Sequence, residues 1–332
     1  MLDGLGDAAA AKNATKCQQA IGKAGVAFLA ARLKQLDACT GGVFKCIQTK
    51  PNDPACIAKA GAKCTALATA AAAARAKLLA AVAAKCGASL VSPENLMGAT
   101  GLGYGSSDCE AVLGDEPQKV ADVAECVAQR YACSASDIYA TAAPRAGELR
   151  RIAGAPGDSC LPDYGGGGED VGDVAQGKAL AACTAAISKA ASGLLTKKLA
   201  SFTKCVDKVF ACVQTKSGDA ACLAKADAAC AKEKAKIVAA GNKVGPAIDK
   251  KCAGLDFDRE LLPQPGANLG ALAARLRGTG ALADLGSYER ALRLDHECAA
   301  DDLLRAIAPR AADLLPAFAP SLPITTAGCA TP

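Results

Sequence analysis

The sequence predicts an all-α protein made of two tandem repeats, each a disulfide-laced antiparallel helical hairpin followed by a proline-kinked third helix. Three observations lead to this class. Apolar residues recur with the helical period, prolines and glycines stand where helices begin and end, and one pattern of six cysteines occurs twice. The pattern spans Cys17 to Cys86 and again Cys183 to Cys252, so that each cysteine of the second copy lies 166 positions after its counterpart (17 to 183, 86 to 252).

A long first helix is predicted from about Asn13 to Thr49, after a frayed segment over residues 1–12. At 100° per residue the cysteines share one narrow face with Ile21 and Phe28, as a packed helix requires. Leucines and valines beside that face widen the apolar arc. The width of the arc indicates that a further helix packs there as well.

A second helix is predicted from Pro54 to about Lys85. Pro51 ends the first helix because proline lacks the backbone N–H that a helix interior needs. Asp53 followed by Pro54 is the pattern of an N-cap with proline at the first helical position. Two helices joined by so short a turn must be antiparallel.

The cysteine spacing selects one nested pairing within each hairpin. Steps of 7 and 8 residues advance a helix by about 10.5 and 12 Å, and steps of 22 residues by about 33 Å, so the rungs coincide when paired outward from the turn. Six cysteines allow fifteen connectivities, and only the nested one matches both helices at every level. The predicted bonds are Cys46–Cys56, Cys39–Cys64 and Cys17–Cys86, and Cys212–Cys222, Cys205–Cys230 and Cys183–Cys252.

A third helix is predicted from Pro117 to about Ile152, broken near Pro144, with a counterpart from about Leu285 to Phe318. Its cysteines complete the pairing. Two cysteines of the first copy have no counterpart in the second, which suggests that they bond to each other, and elimination assigns the rest. The resulting bonds are Cys109–Cys126, Cys133–Cys160 and Cys298–Cys329.

The predicted domain organisation follows from these elements. Residues 1–162 form the first repeat and residues 177–332 the second, and the Gly-rich acidic segment 163–176 joins them as a linker. The glycine-rich stretch 87–107 matches no nucleotide-binding pattern and is expected to be a flexible connector.

Cysteine usage indicates a disulfide framework rather than a metal site. There is no C-x-x-C and His296 is the only histidine, whereas thiolate metal sites favour clustered cysteines, often with histidine. Stable disulfides imply an oxidising, extracellular or periplasmic location. The visible start has no signal peptide, and no transmembrane segment is predicted. The alternative that stays open is a thiol-based metal-binding or metal-storage protein.

The sequence predicts neither an enzyme nor a cofactor. His296 stands between two acidic residues on a predicted helix, where a solvated or helix-packing role is expected. Asp256 and Asp258 form a carboxylate pair of the kind that acid–base catalysis uses, but their surroundings are those of a polar loop. No catalytic residue and no metal ligand is assigned.

Charge is the one feature that points toward a partner. Each hairpin carries a net charge of +8, and because the whole chain carries +5, the remainder carries −11. These charges are read as solvated helix faces, as a surface for an anionic envelope polymer, or as the basis of self-association. Nucleic acid is disfavoured because aromatic residues are few. The lysines assigned to polyanion binding are Lys45, Lys50, Lys59, Lys63, Lys204, Lys208, Lys216 and Lys225.

The cysteine- and lysine-rich segments also carry a family resemblance. The run KCQQAIGKAGVAFLAARLKQLDAC, continued by FKCIQTKPNDPACIAKAGAKC and echoed by FTKCVDKVFACVQTKSGDAACLAKADAAC, resembles the Lys/Ala/Cys-rich helical repeats of uncharacterised proteins in environmental bacterial genomes. The likeness covers most of the chain. It implies export and repetition, and it transfers no activity and no functional residue.

Overall fold

The computed structural model describes residues 3–277, residues 282–322 and Cys329. Within these residues the chain forms eleven α-helices and no strand. The helices are α1 (Ala8–Thr49), α2 (Pro54–Cys86), α3 (Pro93–Met97), α4 (Cys109–Leu113), α5 (Val120–Ala142), α6 (Ala146–Ile152), α7 (Val174–Thr215), α8 (Ala220–Gly241), α9 (Val244–Cys252), α10 (Leu285–Ile307) and α11 (Ala311–Phe318). Short helical turns occupy Tyr104–Ser106, Phe257–Leu261 and Leu269–Leu272.

The first helix begins earlier than the sequence pattern predicts. Asp7 caps it by accepting hydrogen bonds from the backbone N–H groups of Ala9 and Ala10. The segment before it is also held, because the backbone N–H of Leu5 donates to the side chain of Gln214 at 3.0 Å. The expectation of a frayed segment over residues 1–12 is therefore wrong for the described part.

The second helix of each hairpin is built differently in the two halves of the chain. In the N-terminal half α2 is continuous and begins, as predicted, at Pro54 with Asp53 as its cap. In the C-terminal half the corresponding stretch stops at Gly241 and resumes as α9. Gly241 and Asn242, both poor helix formers, account for the interruption, and this signal is visible in the sequence.

The expected break near Pro144 is present. The chain does not kink there, because α5 ends at Ala142 and a separate helix, α6, begins at Ala146. The same happens near Pro309, between α10 and α11. The proline removes one backbone donor and disfavours helical geometry in the residue before it, so the helix stops rather than bends.

All eighteen cysteines lie at disulfide distance in nine pairs, six of them the hairpin pairs that the spacing predicts and three of them the pairs assigned by shared absence and elimination. In both hairpins the rungs are nested around the turn, with sequence separations of 10, 25 and 69 residues. The outer and middle rungs hold the helix backbones at Cα–Cα distances of 4.7 to 4.8 Å. Covalent rungs therefore clamp each hairpin along its length.

The two longest helices, α1 and α7, lie side by side and antiparallel at the centre of the molecule. A side chain at Gly177, near the start of α7, would collide with the carbonyl oxygen of Gln48 near the end of α1. At the other end, a side chain at Gly4 would meet the backbone of Val213. The absence of side chains at Gly4 and Gly177 therefore lets the backbones approach, and the two hairpin turns point in opposite directions.

The hydrophobic core consists of two buried clusters, and each contains residues from both halves of the chain. The first cluster includes Leu29 and Leu33 of α1 together with Leu195 and Leu199 of α7. The second joins the Cys39–Cys64 rung to α7, α9 and α10. The boundaries expected at 1–162, 163–176 and 177–332 stay a prediction, because this core continues from one half into the other.

Buried tyrosines tie α5 to α10 across the two halves. The hydroxyl of Tyr131 donates to the carbonyl oxygen of Leu303 at 2.9 Å, and that of Tyr288 donates to the carbonyl oxygen of Thr141 at 2.9 Å. Tyr104 reaches the carbonyl oxygen of Ile307 in the same way, at 3.0 Å. Each tyrosine fills apolar space with its ring while its hydroxyl is satisfied, as buried tyrosines require.

Arg145 and Arg310, each the arginine of an Ala-Pro-Arg sequence, hold a loop of the opposite half. Arg145 donates to the carbonyl oxygens of Pro265 and Gly266, at 2.7 and 3.1 Å. Arg310 donates to the carbonyl oxygens of Thr100 and Gly101, also at 2.7 and 3.1 Å.

These contacts give order to two segments that composition alone marks as loose. Arg310 holds the stretch 87–107, which contains the buried side chains of Leu102 and Tyr104, so it is not a flexible connector. Arg145 donates to the backbone of Glu169, within the acidic segment 163–176, at 3.0 Å. Both segments are therefore fixed parts of the fold.

Candidate functional site

The eight lysines assigned to polyanion binding are all exposed. They form two groups, one beside each hairpin turn. We call them the first lysine end (Lys45, Lys50, Lys59, Lys63) and the second lysine end (Lys204, Lys208, Lys216, Lys225). In the part of the chain that the structure describes, none of the eight forms a salt bridge.

The structure does not bring the two lysine ends together. Because α1 and α7 are antiparallel, the turn at the end of α1 lies near the start of α7, and the turn at the end of α7 lies near the start of α1. Each of these helices has 42 residues and is therefore about 63 Å long. The lysine ends thus lie at opposite ends of the molecule and cannot serve as one continuous surface.

The second lysine end is the less basic of the two. Lys204 and Lys208 line a pocket of about 350 Å3 together with Asp207 and Glu233. Burial raises the pKa of Asp207 to about 7, although Lys208 opposes the change. The pKa of Glu233 is lowered. Burial acts to raise it, but Lys236 and Lys204 contribute to an opposing effect that is larger. The first lysine end is therefore the stronger candidate for binding an anion.

Each lysine end also contains one capping carboxylate. Asp53 and Asp219 accept a hydrogen bond from the backbone N–H of Cys56 and Cys222 respectively, both at 3.0 Å. The Cys222 N–H is the main cause that lowers the pKa of Asp219, with the nearby lysines adding to it. These carboxylates serve the helix starts and leave the lysine ends net positive.

The thiol chemistry needed by the alternative hypothesis is not available in this structure. A thiolate is the metal-binding form of cysteine, and every cysteine here is bonded to another. Among the described residues, no group of three or more His, Cys, Asp or Glu side chains is placed to hold a metal ion.

His296 is buried between helices rather than solvated. Its Nδ1 lies 2.9 Å from the carbonyl oxygen of Leu292, so Nδ1 carries the proton and donates. Burial lowers the pKa of His296 to about 4. The neighbouring Asp295 has a raised pKa because it too is buried. A neutral histidine locked in this way serves packing.

The pair Asp256 and Asp258 lies at the start of a short helical turn. Asp256 caps the turn Phe257–Leu261, accepting from the backbone N–H groups of Asp258 and Arg259 at 2.9 and 3.0 Å. A carboxylate pair that the sequence analysis missed lies between α9 and α10. Burial first, and the nearby Asp249 carboxylate second, raise the pKa of Glu289 to about 7.

The grooves are a feature that sequence analysis missed altogether. One groove of about 1000 Å3 lies between α1 and α2, and one of about 720 Å3 lies between α7 and α8–α9. Their lining is mostly alanine and lysine. Alanine faces have the same sequence pattern whether they are packed or open, so only the three-dimensional structure distinguishes these two cases.

Within the described part of the chain, two helices, α2 and α7, are long and apolar enough to cross a membrane by length and composition alone. In their most apolar windows of 18 residues, 11% of α2 and 39% of α7 is buried inside the protein. Buried helices of soluble proteins also meet this test, so it is weak evidence of a membrane span. The low value for α2 shows that much apolar surface of this helix lies exposed.

Comparison of the chain with protein-family models, with curated proteins and with solved structures finds no match.

Proposed function

We propose that this is a non-catalytic exported protein that binds anionic polymer of the cell envelope and bridges two polymer strands. The observation that carries the proposal is the placement of the two lysine ends. Both are exposed, both lack salt bridges within the described residues, and they lie at opposite ends of a disulfide-clamped rod. Clustered exposed lysines attract polyanions through an interaction that salt screens.

The proposal includes a repeat architecture. Its support is the equivalence of the two halves: α1 and α7 both have 42 residues, both hairpins have rungs with separations of 10, 25 and 69 residues, and Arg145 and Arg310 make matching contacts. Two copies arranged antiparallel would present one lysine end in each direction.

Nine disulfides are compatible with an oxidising extracellular or periplasmic environment, and they favour this proposal over thiol-based metal storage. Titration of free thiols in the native protein separates the two functions. We expect close to none before reduction and eighteen after reduction in denaturant. A substantial number of native thiols would support the metal-storage alternative instead.

The binding claim is tested by salt-dependent retention on immobilised heparin. Replacing the first lysine end (Lys45→Gln, Lys50→Gln, Lys59→Gln, Lys63→Gln) is expected to lower the eluting salt concentration more than the same change at the second. The matched control for the first lysine end removes four exposed lysines that lie away from it, Lys12, Lys34, Lys232 and Lys234. An equal loss in the control would show that only net charge matters and would refute a specific site.

The bridging claim has a separate readout. Dynamic light scattering of soluble heparin mixed with the protein should reveal growing particles, because one protein joins two chains. A variant lacking either lysine end should still bind heparin yet give no growth. Equal growth with and without one lysine end would contradict bridging while leaving binding intact.

A further inference from the structure

The two grooves occupy the longer of the two intervals between successive disulfide rungs in each hairpin. In the first hairpin this interval lies between the Cys17–Cys86 and Cys39–Cys64 rungs, which are 22 residues apart in both helices, or about 33 Å. The second groove occupies the matching interval between the Cys183–Cys252 and Cys205–Cys230 rungs. Each groove is therefore a slot whose two ends are closed by covalent bonds.

The floor of both slots is apolar, and the polar side chains Gln19 and Gln35 also line the first. Phe28 and Leu78 lie at the bottom of the first groove, and Leu194 and Val244 take their places in the second. Alanines form most of the walls. An apolar concavity of this size on the surface indicates a ligand, because small-molecule pockets typically measure about 300 to 1,000 Å3.

The rims of both slots are positively charged. Among the described residues, no Asp or Glu lines either groove. Three lysines of the first, Lys23, Lys77 and Lys85, have counterparts 166 positions later in the second. The counterparts are Lys189, Lys243 and Lys251. In the part of the chain that the structure describes, none of these six lysines forms a salt bridge. An apolar slot with an unneutralised cationic rim matches an anionic amphiphile.

We propose that each groove binds one fatty acid, with its acyl chain along the alanine walls and its carboxylate at the lysine rim. The slot suits a single chain in length. The acyl chain of one bilayer leaflet is about 15 Å long and fits the interval of about 33 Å between the two rungs. Lysine stems can cover the chain while the ammonium groups meet the carboxylate.

This site is independent of the proposed polyanion binding, since none of the groove lysines belongs to either lysine end. Calorimetric titration of the full-length oxidised protein with myristate is expected to give two bound molecules per chain. Filling the first groove with Ala27→Trp and Ala73→Trp should leave one. Both alanines are exposed, so the larger side chains enter the slot without disturbing the core. Adding Gly193→Trp and Ala239→Trp should leave none.

The charge claim needs its own variants. Lys23→Gln, Lys77→Gln, Lys189→Gln and Lys243→Gln together should weaken myristate binding by at least about tenfold. The control Lys45→Gln, Lys63→Gln, Lys208→Gln and Lys225→Gln removes the same charge outside the grooves and should leave the affinity unchanged, while heparin retention falls. Tetradecyltrimethylammonium, a cationic amphiphile, should bind far more weakly than myristate.

Three results would overturn the proposal. The first is the absence of myristate binding, or binding whose stoichiometry the tryptophan variants do not change. The second is equal affinity for the anionic and cationic amphiphiles. The third is an acidic amphipathic peptide that binds and is blocked by the tryptophan variants when myristate does not bind, since the grooves would then receive a polypeptide.

Discussion

The ammonium nitrogen of Lys198 lies 2.7 Å from a carboxylate oxygen of Asp301, and both side chains are almost completely buried. The same nitrogen donates to the carbonyl oxygen of Glu297 at 2.6 Å and lies 5.3 Å from the ring centroid of Phe202. Burial lowers the pKa of Lys198, and Asp301 opposes that change. A charged pair thus joins α7 to α10 inside the protein.

Removing one member of the Lys198–Asp301 pair should destabilise the folded protein. Asp301→Ala leaves a buried ammonium group without its carboxylate, and we expect a loss of about 3–5 kcal/mol in the free energy of unfolding. Urea denaturation at pH 7 measures it. The double variant Lys198→Met, Asp301→Leu should recover most of the loss. The exposed pair Arg151–Asp163 is the control, because Asp163→Asn should cost under about 1 kcal/mol. Equal losses would contradict the role of burial.

Replacing Arg145 should destabilise the protein more than replacing Arg310. Arg145 pairs with Glu148, which is fully buried, whereas the acidic residue at the matching place beside Arg310 is the exposed Asp313. Arg145→Ala therefore leaves the buried Glu148 carboxylate without its charged partner. We expect a loss of about 3–5 kcal/mol in the free energy of unfolding. Arg310→Ala loses hydrogen bonds to the opposite loop and should cost about 1–3 kcal/mol. Denaturation curves of the two variants decide the order, and a reversed order would contradict this account.

Stability should depend on pH through His296. Its pKa is about 4 in the folded protein and about 6.5 when unfolded, so between these values the unfolded chain binds more protons. The free energy of unfolding should therefore fall as the pH decreases from 6.5 to 4, on the order of 3 kcal/mol from this residue. His296→Leu removes the contribution, and subtracting its pH profile from that of the parent isolates it. Parallel profiles would show that His296 ionises freely.

Ionisation of Asp207 should change the free energy of unfolding with pH in the direction opposite to that of His296. Its pKa is raised to about 7 by burial, so between pH 4 and 7 the folded protein binds more protons than the unfolded chain. Stability from this group is present at low pH and is lost as the pH rises through 7. Asp207→Asn is therefore expected to be neutral near pH 4 and to stabilise the protein at pH 8 by on the order of 2 kcal/mol. If Asp207→Asn is instead less stable than the parent at pH 8, the folded protein stabilises the ionised Asp207 carboxylate.

The disulfide rungs should contribute unequally. Replacing both cysteines of the Cys17–Cys86 rung with alanine frees a longer loop than replacing those of the Cys46–Cys56 rung, whose separation is only 10 residues. We expect losses of about 3–4 and about 2–3 kcal/mol respectively, since the remaining rungs limit both loops. Guanidinium denaturation without reductant compares the two. A larger loss at the inner rung would exclude loop length as the cause.

Much of this fold could be predicted because helical geometry is regular. The rise per residue alone makes Cys39 and Cys64 coincide when Cys46 and Cys56 are joined, so spacing carries the pairing. The cap at Asp53 and the break near Pro144 are equally local. The rung spacing, the cap and the helix break are therefore each determined by residues that lie close together in the sequence.

The remaining features depend on contacts distant in sequence. An apolar arc on α1 requires a partner but does not identify α7, and nothing near Arg145 indicates that it holds Pro265, 120 residues away. For the same reason the sequence does not reveal that the antiparallel core separates the eight lysines into two ends. The grooves escaped prediction because alanines at Ala27 and Ala73 fit a packed interface as well as an open one.

The nested rungs also determine how the chain can respond to tension. A pulling force applied outside Cys17 and Cys86 is transmitted across their 4.8 Å Cα–Cα separation and bypasses the 69-residue path between them, which could otherwise extend to roughly 230 Å. The Cys183–Cys252 rung shields the second hairpin in the same way. Only the parts of the chain outside the loops closed by disulfides can extend, so the molecule would act as a tether of limited extensibility.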